Sequence, residues 1–203
     1  MIESKNNSFN KSFFTMQTTK DNTDSNKASV QMAKNKGITI PTAEIVIMKD
    51  GARIPDKADF LCVGYDLFVP KDTLIPAKSR FAIPMGIGIG LPAGYEGKIE
   101  ARSGHSLRGM PGYVLKKEWM GLSHREKVEE GLFDCDVLTG KIDPGYKGEV
   151  HVIVRNNSDR AFYVEQGMKI AQITFYRIYF PEIKEVEHLR GYNRGGGFGH
   201  SGI

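Results

Sequence analysis

The chain has little cysteine, no long apolar run and a small net charge, and each shortage excludes a class of protein. Its two cysteines among 203 residues, Cys62 and Cys135, cannot form a disulfide framework and match no metal-binding spacing. No apolar run approaches the roughly 18–20 residues that cross a bilayer. The first 20 residues lack the continuous apolar region and the small-residue cleavage site of a secretory signal. We therefore expect a soluble, cytoplasmic protein without stable membrane binding.

Charge is balanced over most of the chain. Lysine and arginine number 28 and the acidic residues 24, which gives a net charge of +4. Residues 1–36 hold six lysines and three acidic residues, so the remaining 167 residues are almost neutral. A protein that binds nucleic acid stably needs a broad basic surface. We therefore expect no stable binding to nucleic acid.

The first 36 residues also differ from the rest in composition. They contain 15 Asn, Ser or Thr residues and few aliphatic ones. Such a segment buries too little apolar surface to offset the entropy of ordering it. We expect residues 1–36 to be a flexible polar tail and residues 37–203 to form one domain.

From Ile38 onward, short β-type segments alternate with turn residues. The predicted strands are Ala43–Met48, Arg80–Gly90, Gly97–Arg102, Glu149–Val154 and Lys169–Arg177. Short strands separated at regular spacing by glycine and proline turns are typical of an all-β sandwich, jelly roll or barrel.

One stretch, Leu115–Gly131, has a different pattern. Its apolar residues Leu115, Trp119 and Leu122 are spaced i, i+4, i+7, which suits one face of a helix. We expect a short amphipathic helix there.

Five glycine-containing clusters follow one another along the β region. They are Gly64–Leu67, Ala101–Gly104, Gly140–Gly148, Gly167–Gln172 and Arg194–Gly202. Taken singly, each cluster has a purely structural interpretation. Asp143-Pro144-Gly145-Tyr146, for example, is a good type II turn, and the glycine-rich C-terminus suits a tail.

Taken together, the five clusters resemble in order and local spelling the five motifs of trimeric dUTP pyrophosphatases (dUTPases). The resemblance runs from about Ile38 to Ile203 and includes the linking stretch from Ile83 to Gly97. It implies a dUTPase-like β-barrel or jelly roll in a homotrimer, with sites at the subunit interfaces. It also implies Mg²⁺-assisted hydrolysis of dUTP to dUMP and pyrophosphate.

The resemblance assigns roles to two carboxylates. Asp66 would hold Mg²⁺ through water, since a hard, hydrated ion suits one carboxylate plus phosphate oxygens. Asp143 would orient and deprotonate the water that attacks the α-phosphorus, acting as general base.

The resemblance also implies a set of substrate contacts. Gln172 would donate to the α-phosphate, Tyr146 would pack on the deoxyribose, and Phe198 would stack on the uracil. The complete set is Arg102, Ser103, Gly104, Gly140, Ile142, Tyr146, Lys147, Gln172, Arg194, Gly197, Phe198, Gly199 and Ser201.

The sequence departs from the family pattern at Ala101 and Met85, where the family usually has Pro and Thr, and in two spacings. Arg194 and Phe198 are four positions apart where the family has five, so Arg190 is an alternative last-motif arginine. Ser103 and Asp143 are 40 positions apart, a much longer spacing than the family's.

We interpret residues 107–136 as an insertion, with the predicted helix packed outside the pocket, Trp119 buried and no catalytic group contributed. Residues 190–203 are predicted to form a mobile C-terminal arm that closes over the phosphates.

Two other functions remain open. The first is that of dCTP deaminase, which shares the fold but needs a glutamate in the strand after the Asp-Pro-Gly turn. Ile153 stands at that position, and Glu149, four residues earlier, is expected to face solvent. The second is a regulatory relative that binds nucleotide without turnover. Such a protein would not need the general base Asp143.

Overall fold

The computed structural model describes residues 23–115 and 127–191, which form antiparallel strands and two helices. The elements are α1 (Thr23–Asn35), β1 (Glu44–Ile47), β2 (Tyr65–Phe68), β3 (Thr73–Ile75), β4 (Arg80–Gly90), β5 (Tyr95–Ala101), α2 (Ser103–Arg108), β6 (Met110–Leu115), β7 (Lys127–Phe133), β8 (Cys135–Val137), β9 (Gly140–Ile142), β10 (Glu149–Asn156), β11 (Phe162–Val164) and β12 (Lys169–Arg177).

The strands form three four-stranded sheets. Their orders are β1-β4-β10-β8, β3-β11-β6-β7 and β2-β12-β5-β9. The all-β prediction is confirmed, and the predicted strands Arg80–Gly90 and Lys169–Arg177 coincide with β4 and β12. Predictions were accurate here because alternating apolar residues and flanking turn residues mark these segments locally.

The core lies between the sheets, and each sheet contributes one apolar face to it. Along β10 every second residue is buried, so Val150, Val152 and Val154 point inward. Ile173 of β12 and Phe162 of β11 bring the other two sheets into the same cluster. This shared core fixes how the strands that carry the site are placed.

The predicted helix over Leu115–Gly131 is wrong for its described residues. Leu115 ends β6, and residues 127–131 belong to β7, which pairs with β6 in an antiparallel hairpin. The ring of Phe133 on β7 stacks on Phe162, with centroids 4.1 Å apart. Burial against β11 outweighs the local helical spacing, since strand formation depends strongly on tertiary packing. Trp119, which we expected to be buried, lies outside the described residues.

Part of the N-terminal segment, where the sequence predicted a flexible tail, forms helix α1 (Thr23–Asn35). Helix α1 ends at Asn35 in a Schellman motif: the N–H of Gly37 donates to Lys34 at 2.9 Å, and that of Ile38 donates to Ala33 at 3.1 Å. Gly37 has φ +70°, the left-handed conformation that this motif requires. Residues 1–22 lie outside the described part of the chain. Within that part, no helix is long and apolar enough to cross a membrane.

Candidate functional site

A cavity of about 630 Å³ lies where β2, β12 and β5 meet α2. Gln172 on β12 is opposite Asp66 on β2 and also opposite Glu100 on β5. Directly paired residues of neighbouring strands project from the same face of a sheet, so these three side chains form a row. The cavity, which we name the Asp66 pocket, therefore joins the first, second and fourth glycine-containing clusters.

Asp66 is a buried carboxylate with two cationic partners. Its side chain is 8% exposed, and its two oxygens lie 2.9 Å from Nε of Arg102 and 2.8 Å from Nζ of Lys169. A buried charge is tolerated when it is paired in this way. The Asp66 carboxylate thus has a fixed arrangement with two cations before any ligand enters.

Gln172 is held close to the backbone on both sides. Its Nε2 donates to the carbonyl of Ala101 at 3.4 Å. A Cβ on Gly64 would lie 2.5 Å from Oε1 of Gln172, so the first cluster needs glycine at that position for the amide to fit. On the other side of the row, Glu100 forms an ion pair with Lys98 at 2.6 Å.

Helix α2 brings two further side chains into the pocket that the sequence analysis did not select. Arg108 follows Gly104 by one helical turn, and a Cβ on Gly104 would lie 3.0 Å from Nη2 of Arg108. His105 donates from Nδ1 to the carbonyl of Ile170 at 3.3 Å, and burial lowers its pKa. The i, i+4 spacing from Gly104 to Arg108 was the available sequence signal for a second cation.

The predicted insertion contributes to the pocket wall, which corrects the expectation that it packs outside. Pro111 on β6 and Leu132 on β7 face each other in the hairpin register, and both line the Asp66 pocket. Leu132 is 58% exposed at this rim. The base of the hairpin is therefore both part of the fold and part of the site.

Asp143 and Tyr146 lie on a different part of the chain, in a turn after β9 that we name the Asp143 turn (Asp143–Tyr146). The N–H of Tyr146 donates to the carbonyl of Asp143 at 3.0 Å, which closes the turn. Both side chains are exposed, as is that of Lys147. None of the three lines the Asp66 pocket.

The strand register shows how far apart these two regions are. In the β5–β9 pairing Gly97 is opposite Ile142 and Ile99 is opposite Gly140, so Asp143 lies level with Glu96. Arg102 directly follows β5 in an extended conformation and lies six residues beyond Glu96, which corresponds to about 20 Å at the rise of a β-strand. The side chain of Asp143 therefore does not reach Arg102 within one chain.

Glu149 does not face solvent as expected. Its side chain is 16% exposed and forms an ion pair with Lys49, and it also accepts the N–H of Gly86 at 2.9 Å. The hydrogen bond from Lys49 lowers the pKa of the Glu149 carboxyl. Ile153, at the position where a deaminase needs its glutamate, is an apolar residue of β10.

The last cluster lies outside the described residues, and so do the predicted contacts of Arg194, Gly197, Phe198, Gly199 and Ser201. Arg190, the alternative arginine, is described and exposed. Before it, the segment after β12 exposes large apolar side chains, Tyr179 at 81% and Leu189 at 93%. A second cavity, of about 720 Å³ beside α1, contains none of the predicted site residues.

The chain is similar to known proteins over most of its length. The dUTPase family model matches residues 50–123 and 130–202. The deoxyuridine 5'-triphosphate nucleotidohydrolase of Oryza sativa subsp. japonica is 32% identical over 164 residues, which cover 80% of this chain and 82% of that protein. The enzyme of the same name from Variola virus is 34% identical over 153 residues, 75% of this chain and 87% of that protein.

Solved structures share the fold. The dUTPase of Staphylococcus bacteriophage 80alpha with dUpNHpp superposes with a TM-score of 0.64 at 22% identity, covering 80% of this chain and 99% of that one. The dUTPase of phage phi11 of S. aureus, described with a species-specific insert, gives a TM-score of 0.57 at 21% identity over 74% of this chain and 99% of that one. Since the family model matches well over half of its residues, the chain belongs to the dUTPase family.

Proposed function

We propose that the chain hydrolyses dUTP to dUMP and pyrophosphate, in a homotrimer whose sites combine groups from different subunits. The observation that carries the proposal is the row formed by Asp66 and Gln172 beside Arg102, in a pocket suited to an anionic ligand. The named activity of the relatives and the resemblance of all five clusters to dUTPase motifs support it.

The Asp66 pocket supplies the groups that bind a triphosphate. Arg102 and Arg108 place two guanidinium groups there, and arginine is well suited to bidentate phosphate binding. The hydroxyl of Ser103 and the N–H of Gly104 add donors at the start of α2. Gln172 offers an amide donor on the same face as Asp66, where the α-phosphate would lie.

The Asp66 carboxylate is a suitable ligand for a hydrated divalent ion, but the ion needs further ligands besides it. The described residues contain no group of three or more His, Cys, Asp or Glu side chains that could hold a metal. One carboxylate can still bind hydrated Mg²⁺ when phosphate oxygens provide the remaining ligands. Asp66 would hold Mg²⁺ through water, and the bound ion would stabilise negative charge on the phosphates.

The Asp143 turn supplies the base and the selection of the sugar. The exposed carboxylate of Asp143 would take a proton from the water that attacks the α-phosphorus. The ring of Tyr146 would pack on the deoxyribose, and a ribose 2′-hydroxyl there would have no partner. Gly140, Ile142 and Lys147 would border the same nucleoside.

The residues of the last cluster complete the proposed site. Phe198 would stack on the uracil, with Arg194, Gly197, Gly199 and Ser201 over the phosphates. Comparing the phosphate affinities of the Arg190→Ala and Arg194→Ala variants distinguishes the two candidate arginines. We expect the Arg194 change to weaken binding more.

The strand register supports assembly of the site from more than one chain. Since Asp143 and Arg102 are separated by about 20 Å along β5, a single chain cannot bring the base to the phosphates. In a cyclic trimer the same pair would meet across each of three equivalent interfaces.

Mixing two impaired variants tests this assembly. Arg102→Ala and Asp143→Asn chains, unfolded and refolded together, should form mixed trimers in which one site joins the intact Arg102 of one chain to the intact Asp143 of another. Random mixing should restore about a quarter of the wild-type activity, because each mixed trimer regains one of three sites. Recovery no greater than the sum of the separate variants would show that both groups act from one chain.

Product analysis tests the reaction itself. The protein should release pyrophosphate from dUTP in the presence of Mg²⁺, with much less from dCTP, dTTP or UTP. Deamination of dCTP would favour the deaminase function, and dUTP binding without turnover would favour a regulatory relative. The contacts of Glu149 argue against deamination, since Lys49 and Gly86 already engage its carboxylate.

A further inference from the structure

Glu149 connects the barrel to the Asp143 turn through both its side chain and its backbone. It is the first residue of β10 and follows the turn by three positions. Its carboxylate binds Lys49 with one oxygen and accepts from the N–H of Gly86 with the other. The side chain is therefore attached to two segments that precede it by more than 60 residues.

Gly86 is a position where the regular strand pairing is interrupted. The β4–β10 register passes from Gly88 opposite Glu149 to Pro84 opposite His151, so the ladder shifts across Gly86. Gly86 has φ +68°, and a Cβ there would lie 2.8 Å from that of Ala52. Because Gly86 is buried, its N–H needs an acceptor inside the protein, and the Glu149 carboxylate provides it.

Lys49 is fixed at the same irregularity. The carbonyl of Gly86 accepts the N–H of Met48 at 2.8 Å and that of Lys49 at 3.2 Å. The residue whose ammonium group binds Glu149 is thus hydrogen-bonded through its backbone to Gly86. Lys49, Gly86 and Glu149 form a closed set of contacts, which leaves the start of β10 little freedom to shift.

The backbone carbonyl of Glu149 in turn fixes Tyr146. The Tyr146 hydroxyl donates to this carbonyl at 2.7 Å, and Nδ1 of His151 donates to it at 2.9 Å. The phenol group lies against Gly148, where a Cβ would be 2.7 Å from the hydroxyl oxygen. The direction of the Tyr146 ring therefore depends on where β10 begins.

We propose that Glu149 is a positioning residue for sugar selection: its carboxylate fixes the start of β10, and its carbonyl then holds the Tyr146 ring at the angle that excludes a ribose. This inference rests on the proposed function, in which Tyr146 packs on the deoxyribose. It assigns Glu149 no contact with substrate.

The test compares selectivity in graded variants. Glu149→Ala removes both acceptors, whereas Glu149→Gln keeps an oxygen for the N–H of Gly86 and loses only the ion pair with Lys49. The ratio of kcat/KM for dUTP to that for UTP should fall about tenfold in the alanine variant and by less than about threefold in the glutamine variant. Tyr146→Phe, which lacks the hydroxyl, should lower the ratio similarly, and combining it with Glu149→Ala should add little.

Glu129→Gln is the matched control, since Glu129 also forms an ion pair, with Arg160 at 2.7 Å, and lies on β7, in a different sheet from β9 and β10. The ratio of its kcat/KM for dUTP to its kcat/KM for UTP should equal that of the wild type. Thermal unfolding and light scattering on all variants check that the fold and assembly are kept. An unchanged ratio in Glu149→Ala, whatever its melting temperature, would overturn the inference.

A binding measurement separates failure of this inference from failure of the proposed function. The affinities for dUMP and UMP are measured by calorimetry, which needs no turnover. If the wild-type protein binds dUMP in preference to UMP and Glu149→Ala loses that preference, the inference holds even without hydrolysis. If the wild type hydrolyses dUTP and the variant keeps the preference, only the inference fails.

Discussion

The Asp66 pocket and the Asp143 turn each present a carboxylate, but the chain treats the two differently. Asp66 is almost fully buried and paired with Arg102 and Lys169, whereas Asp143 is exposed on a turn about 20 Å away along β5. The buried carboxylate lies in an environment that one chain completes. The exposed carboxylate lies on a surface that, in the proposed homotrimer, would meet another chain.

In the proposed function this difference separates phosphate binding from the chemical step. Asp66 and Gln172, proposed to face the triphosphate, lie on strands whose register aligns them, so packing of the core sets their geometry. The group proposed to activate water lies on a short turn, which the hydrogen bond from the N–H of Tyr146 to the carbonyl of Asp143 closes. Substitutions in the two regions should therefore give different combinations of stability, binding and turnover.

The largest expected effect is that of Asp143→Asn. The amide keeps the shape of the side chain but cannot accept the proton, so turnover of dUTP should fall by roughly 10²–10⁴-fold. Stability and affinity for a non-hydrolysable imido analogue of dUTP should change little, because the residue is exposed. Pyrophosphate release and calorimetry measure the two quantities. Turnover near that of the wild type would remove Asp143 from the mechanism.

An intermediate effect is expected for Arg102→Ala, which acts on both binding and stability. Loss of the guanidinium should lower kcat/KM by about 10–100-fold. It should also lower the free energy of unfolding by about 1–3 kcal/mol, because among the described residues Asp66 then keeps Lys169 as its one ion-pair partner. Denaturant unfolding and steady-state kinetics measure these two changes.

Arg160→Ala is the matched control for that change. It removes an arginine that pairs with the exposed Glu129 and lies outside the pocket, so both measurements should stay close to wild type. If Arg102→Ala unfolded no more easily than Arg160→Ala, the buried ion pair would contribute nothing to stability, and the contrast between the two regions would be lost.

The sequence predicted the parts of this molecule that are encoded locally. The strands β4 and β12 follow from alternation and flanking turn residues. The grouping of Asp66, Arg102 and Gln172 in one site followed only from the resemblance of the glycine-containing clusters to dUTPase motifs. The β6–β7 hairpin was missed because a helical spacing of three apolar residues was given more weight than burial against β11, which only the fold reveals. The contacts of Glu149 were missed for a similar reason: Lys49 is 100 positions away in sequence.

The smallest expected effect is a pH dependence of folding stability that arises from His105 in the Asp66 pocket. Burial lowers the pKa of His105 below its ordinary value of 6.5, so the folded protein binds a proton there less readily than the unfolded chain. The stability contributed by the neutral imidazole is complete above about pH 6.5 and is lost as the pH falls through the folded-state pKa. The positive charges of Arg102 and Arg108 also lower the pKa of His105. The negative charge of Asp66 and the hydrogen bond to the carbonyl of Ile170 raise it.

The urea midpoint should therefore decrease between pH 7 and pH 5, and His105→Asn should make that decrease smaller. His188→Asn removes an imidazole from the exposed segment after β12 and controls for the loss of one histidine. If His105→Asn left the pH dependence as steep as in the wild type, protonation of the pocket histidine would not limit stability in acid. The acid sensitivity would then have to come from ion-paired carboxylates such as Glu149, whose lowered pKa also makes stability fall with pH, but only near and below about pH 4.5.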